Sequence, residues 1–587
     1  MKHRSCIAIG IVLALGTSSC DDNTRSQSTP TSKNGRSVTR SVPTGLIRTA
    51  ALSSASSCDD LLRELKSFAL GQVGPFGLGQ GSRYGTLAYT DGVTSKAAEG
   101  TASRSPSAAT SSAAPPSGGG DASYSQTNNQ VAGVDEPDSV KTDGTTMWVV
   151  RDSTLFTIAL GDIPSIAAQR TFESTPQLLR AGNSLVALTP KYEPQPELDQ
   201  KMAAGMSYPY MRSSSTLVEL LDPATLETQD ELIIDGDIQG ARSLGESLRL
   251  VVSESGPQLG FQAPKDSNNL ESLKEADATN RAVIEKSNLK DWIPDSWLSG
   301  DREQACRAFG VPAEFSGFSL VGVAGISIDA TDLKLKSMAG LIADPGTVYA
   351  NGNTLYVATA RYIPTDVSQD LMPRIVDNQS TEVHRFNISS VDSTKYEASG
   401  SVKGHLLNQY AMDEYKDVLR IATTTERWST DGNGQNASES RVTTMKREGK
   451  ELLGAGEVTG LGKGETIQSV RFVEDRGFVV TFRQTDPLYV IDLTDPAAPK
   501  VTGELKVTGF SEYLHPVGDH RLLGIGPEAD ESGQITGYQA SLFDVNDPSA
   551  PKQLSRLELT QGRSSQSLQY DPHAFLYWAK TGLAVVP

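Results

Sequence analysis

The chain has 587 residues, 37% of them hydrophobic, and a formal net charge of −18. That apolar content suffices for a core and excludes disorder along the whole chain. The acidic balance, with a pI near 4.9 and no basic stripe visible along the sequence, excludes broad binding to DNA, RNA or anionic lipid surfaces, which would be repelled.

The first twenty residues, MKHRSCIAIGIVLALGTSSC, combine a basic start (Lys2, Arg4), an apolar run from Ile7 to Leu15 and small residues before Cys20. The run is far below the ~20 residues that cross a bilayer as a helix, so it reads as a signal peptide and the chain is expected to be exported. Gly16-Thr17-Ser18-Ser19-Cys20 resembles a bacterial lipobox, with Thr17 standing where a leucine is typical. The resemblance implies an acylated Cys20 that anchors the protein without a transmembrane helix. The other reading is ordinary cleavage after small residues, leaving Cys20 a free thiol. Residues 21–50 lack apolar periodicity and are expected to form a disordered tether.

Within 51–124, SSCDDLLRELKSFAL places Leu61, Leu62, Leu65 and Phe68 on one face, with Ser57 or Asp59 available as a cap, and predicts a short amphipathic helix. A low-complexity stretch from Thr94 to Asp121 follows, with too little apolar surface to offset the entropy of ordering it. Outside the signal only Cys58 and Cys306 remain. In an oxidising compartment two leftover cysteines most simply pair, the alternative being two buried thiols.

From about Ser125 a polar turn followed by a short apolar strand keeps returning, as in DGTTMWVV, GNSLVAL, GESLRLVV, NGNTLYVATA, KDVLRIATT, DRGFVVTF and DHRLLGIG. Each is followed by a second strand pattern, most clearly YVIDLTDPAAPKVTGEL and LFDVNDPSAPKQLSRL, in which Asp492, Asp495, Pro496 and Pro499 recur at a constant offset of 52. Proline fixes φ and removes a ladder donor, so Asp-Pro ends one strand and sets the turn to the next. Four short antiparallel strands per unit, at a period of roughly 40–60 residues, predict an all-β fold, a β-propeller of about seven to eight four-stranded antiparallel blades over 125–587. Tandem β-sandwiches are the competing fold, which a single strand-turn grammar disfavours. Two loops look inserted: Lys191 to Ser214, and about 256–313, the second with helical patterning and the aromatics Trp292 and Trp297. These rings serve either as a ligand platform or, more commonly for large loop aromatics, to pin the loop to the body. AFLYWAKTGLAVVP at the end reads as a strand, a turn and the start of another strand, so the propeller is expected to be C-terminally incomplete.

The runs TNNQVAGVDEPDSVKTDG, SCDDLLRELK, DWIPDSW with the following Cys306, and YDPHAF together resemble the bacterial family of exported proteins with a C-terminal β-propeller domain. The resemblance implies the propeller and an address outside the cytoplasm, and in that family the propeller continues beyond this sequence. It brings no enzymatic activity to any residue.

Motifs for chemistry are sparse. His384, His405, His515, His520 and His573 show no metal spacing, and no GxSxG elbow, Walker loop or GxGxxG after a strand occurs. Asp135, Glu136 and Asp138, with Asp143 nearby, are hard oxygen ligands and the best candidate for calcium. Calcium wants six to eight oxygens, and the alternative is an acidic entry turn accepting backbone N–H bonds. Two functions fit. One is a non-catalytic binding or scaffold module for an envelope or extracellular protein or glycan, touching membrane only through its lipid anchor. The other is a propeller enzyme, glycoside-cleaving or quinone-dependent, with its site in the central channel.

Overall fold

The computed structural model describes residues 53–78, 124, 127–192, 214–254, 256–257, 259–298, 301–312, 316–317, 319–362, 379–425, 438–482, 486–530, 534–559, 568 and 571–586. The signal peptide, Cys20, the tether, the low-complexity stretch and most of the 191–214 insertion lie outside them.

Among the described residues, seven consecutive four-stranded antiparallel units span 140–171, 177–235, 237–342, 347–403, 412–461, 466–507 and 513–559, followed by a hairpin of Leu576–Trp578 and Leu583–Val585. The chain is an all-β propeller, and we number these units blades 1 to 7. The innermost strands of consecutive blades lie side by side, from Val140–Thr142 through Gln177–Ala181, Asp237–Ser243 and Thr347–Ala350 to Thr466–Val473 and Tyr513–Pro516, with Gln409–Ala411 lining this path in blade 5. Within each blade the middle strands are covered on both faces and read as apolar runs, such as Leu248, Leu250, Val251 and Val252, all fully buried. The outer strands alternate, as in Ser165–Thr171, where mostly exposed residues face water.

The Asp-Pro repeat has a specific job between blades. Asp495 and Asp547 each accept a backbone N–H two residues on, from Ala497 and Ser549 at 2.9 Å, which folds the turn. The turn of blade 6 then lies on the outer strand of blade 5 at Gly456, and that of blade 7 on blade 6 at Gly503. A Cβ at Gly456 would stand 2.4 Å from the Pro496 carbonyl oxygen, and one at Gly503 2.2 Å from that of Pro548. Gly503→Ala should therefore lower the unfolding free energy by about 1–3 kcal/mol through overpacking against rigid backbone, measured by urea denaturation. The equivalent position in blade 7, Ser555, is exposed, no such turn covers it among the described residues, and its neighbours Leu554 and Leu557 are 48% and 63% exposed.

Helix α1 (Cys58–Leu70) starts at Ser57, whose side chain accepts from Asp60 N, and buries Leu61, Leu65 and Ala69. It packs on two helices of the blade 3 insertion, α2 (Leu270–Lys286) and α3 (Arg302–Arg307). Cys58 and Cys306 are joined by a disulfide, with Cα atoms 5.0 Å apart. Ser53–Ser54 pairs with Phe309–Val311, which pairs in parallel with the outer strand of blade 3 at Gly340 and Leu341. The N-terminal segment and the insertion thus form one satellite on that blade. Trp292, Ile293 and Trp297 are buried within it, and Trp297 donates to the Asp235 carbonyl at 3.0 Å, so the aromatics pin the insertion and present no open ring face.

Candidate functional site: an axial polar cluster and a lateral basic cleft

Residues 127–138 do not form a blade strand. They run as a strap across the inner strands, bridging to Leu178 of blade 2 through Asp138 and to Ser243 of blade 3 through Asp135. The Gln130 amide donates to the carbonyls of Gln409 and Met412 at 3.2 and 3.0 Å, and Asn128 donates to Tyr513 Oη at 2.9 Å and the Pro572 carbonyl at 3.0 Å. Four blades are thereby tied to one segment.

Glu136 and Arg242 sit at the heart of this junction, both wholly buried, with Glu136 Oε1 and Arg242 Nε 3.2 Å apart. Arg242 also donates to the carbonyls of Ala241 and Val348 at 2.8 and 3.2 Å. Burial pushes the Glu136 carboxyl up to about 7 against the pull of Arg242, and Asp138 up to about 6 against Lys141. The His573 imidazole stands between these two acids, 3.8 Å from Glu136 Oε2 and 4.0 Å from Asp138 Oδ2. Further round the axis, Arg471 stacks over Tyr410 with its Cζ 4.6 Å from the ring centroid, and its Nε and Nη2 are buried without a hydrogen-bond acceptor.

The four acidic calcium candidates are drawn apart. Asp135 accepts from Lys141 Nζ and from Arg180 N, each at 2.8 Å. Glu136 faces Arg242, Asp138 faces His573, and Asp143 caps its own turn by accepting from Thr145 and Thr146 N at 2.8 and 2.7 Å. Among the described residues no group of three or more His, Cys, Asp or Glu is placed to hold a metal ion. His515 lies on the inner strand of blade 7, packed between Tyr513, Phe575 and Tyr577.

Burial holds His515 and His573 neutral down to about 3, helped by Arg471 beside the first and by Lys141 and Arg242 beside the second. A histidine depressed from 6.5 stabilises the fold fully above that pH, and the contribution is lost as pH falls toward about 3, since the unfolded chain takes the proton first. Each such histidine gives a slope of about 1.4 kcal/mol per pH unit. His515→Gln should flatten the acid limb of a stability-versus-pH curve by roughly that slope between the two limits.

A different kind of site lies on the side of the propeller. A cleft of about 690 Å³ opens between α3, the outer strand of blade 3 and the 392–397 turn of blade 4. Its floor is Phe309, Leu335 and Met338, continuous with the core under the insertion. Arg307, Lys336, Lys395 and Lys450 stand exposed around its rim. A second cleft of about 420 Å³ between blades 4 and 5 is lined by Lys416, Lys446 and Arg447. Glu397 joins the two, since it belongs to the first and pairs with Arg385 and Arg447 of the second. This basic strip is invisible in the sequence, where its residues are scattered over more than a hundred positions.

The fold therefore defines a propeller with a strapped axis and a lateral cleft, and the chain belongs to the beta propeller domain family, whose model matches residues 124–587. It is similar to an uncharacterized protein of Methanocaldococcus jannaschii, 36% identical over 233 residues that cover 38% of this chain and 35% of that protein. It also resembles an uncharacterized protein of Archaeoglobus fulgidus, 38% identical over 208 residues, 35% of this chain and 30% of the other. The match thus spans about a third of the length of these relatives. Among solved structures, Hsv2 of Kluyvelomyces marxianus aligns over 71% of this chain and 96% of that one, at 9% identity and a TM-score of 0.30.

Proposed function

We propose that this protein is a non-catalytic binding or scaffold module, a propeller held at the bacterial cell envelope by an acylated Cys20 and a tether. The observation that carries the reading is the lateral cleft: it is built by an insertion clamped onto rigid blades, while most of the polar groups on the axis are spent on one another. The anchor rests on the lipobox resemblance and the resemblance to exported propeller proteins. Cys20→Ala should move the protein from the membrane to the soluble exported fraction, and unchanged partition would sink the anchor. Immobilised mature protein should retain a specific envelope component from solubilised membranes, and recovery of nothing above a blank matrix would sink the binding role.

A second reading, an enzyme with its site on the axis, is favoured by Glu136 and Asp138, two acids with raised pKa flanking one imidazole. It requires hydrolysis of aryl glycosides by the purified protein that Asp138→Asn abolishes while the fold is kept. Quinone-dependent turnover is the other form of this reading, tested by dye reduction on addition of the cofactor.

A further inference from the structure

We infer that the lateral cleft takes an extended acidic peptide segment of a partner protein, with apolar side chains on the floor and carboxylates on the rim. The inference rests on the binding reading above and names its site and ligand class. Charge is the first argument. Two of the three acids lining the cleft are paired: Glu397 with Arg385 and Arg447, and Asp392 at 3.9 Å from Lys336, while Asp301 accepts from Gln304 N at the start of α3 and keeps its charge. Arg307, Lys395 and, in the adjoining cleft, Lys446 carry no ion pair among the described residues. On a chain of net charge −18, these cations form a local positive patch that attracts an anionic ligand which the rest of the surface repels.

The floor separates peptide from glycan. Sugar rings stack on open aromatic faces, but Trp297 and Phe309 are each 2% exposed and stack on each other with centroids 6.2 Å apart, and the half-buried Tyr396 at the wall packs its ring against Phe386 and His384. What the cleft does offer is half-buried Leu335, Met338 and Ala305, a surface for aliphatic side chains. The backbone contributes as well. Phe309–Val311 pairs with the outer strand of blade 3 only at Gly340 and Leu341, so from Leu335 to Met338 no further strand pairs along that outer edge among the described residues, although Ser337 Oγ is bonded to the Val391 carbonyl and to Thr394 of blade 4; an extended chain can add along this edge. A nucleic acid would have to approach the acidic body with a phosphate at every step and would gain nothing from the aliphatic floor.

The test is fluorescence anisotropy of the full mature protein with a labelled peptide of alternating Glu and Leu. A Lys-Leu peptide, polygalacturonate and a single-stranded oligonucleotide are the comparisons. Arg307→Glu with Lys395→Glu reverses two exposed charges, and its circular dichroism and melting curve establish that the fold is intact. The expected result is saturable binding of the Glu-Leu peptide, weakened by salt and by about tenfold or more in the double variant, with no binding of the Lys-Leu peptide. Equal affinity for wild type and double variant, or preferential binding of the glycan or the oligonucleotide, overturns the proposal. If the same envelope component is captured equally by wild type and double variant, the cleft is the wrong site and the binding role stands. If wild type captures nothing and binds no peptide, both fail.

Discussion

Arg242→Met should lower the unfolding free energy by about 3–5 kcal/mol, because it leaves the Glu136 carboxyl buried on the axis without its cation. Glu136 would take up a proton to escape the charge, which its pKa of about 7 already makes easy, but the hydrogen bonds from Arg242 to Ala241 and Val348 would still be lost. Replacing both members, Glu136→Leu with Arg242→Met, should recover part of the loss, since a buried ion pair often contributes no more than apolar side chains of similar volume. Urea denaturation of wild type, both single variants and the double variant gives the coupling directly. Strictly additive effects would show that the two groups do not sense each other across their 3.2 Å.

The second large effect is expected at the disulfide. Cys58 and Cys306 are separated by 248 positions, and the bridge ties α1 to α3 across that whole loop. Removing it should cost on the order of 2–5 kcal/mol, chiefly by freeing the unfolded chain. Cys58→Ala and Cys306→Ala should each produce the same loss, and the double variant should be no worse than either. Additive losses, or labelling of both thiols in the native protein, would show that the two cysteines act independently.

The blades were legible because their signal is local. In blade 6, the run DRGFVVTF falls on Arg476–Phe482, and the Asp495-Pro496 turn of YVIDLTDPAAPKVTGEL separates Asp486–Asp492 from Lys500–Val507. Helix α1 was legible for the same reason, down to its Ser57 cap. The roles of the acidic residues were not. Asp135, Glu136 and Asp138 look like ligands when only their neighbours in sequence are visible, yet Arg180 N, Arg242 and His573, which engage them, come from distant stretches of the chain. The basic cleft was hidden for a related reason: Arg307, Lys336, Lys395 and Lys446 lie in four separate stretches, and only the packing of blades 3, 4 and 5 one on the next gathers them.

The strap has a bearing on how this chain is made. Its anchoring hydrogen bonds reach from Gln130 to Gln409, 279 positions away, and from Asn128 to Tyr513 and Pro572, 385 and 444 positions away. A ribosome or a secretion channel delivers residues 127–138 well before most of those partners exist, so the first piece of the domain to emerge is among the last that can settle. Before blades 5 and 7 exist the strap lacks these partners, and with no burial to raise their pKa Glu136 and Asp138 would carry ordinary carboxylate charge. Docking of this one short segment therefore needs contacts of very large sequence separation, which makes the strap the place where slow folding and early unfolding of this propeller should both be sought.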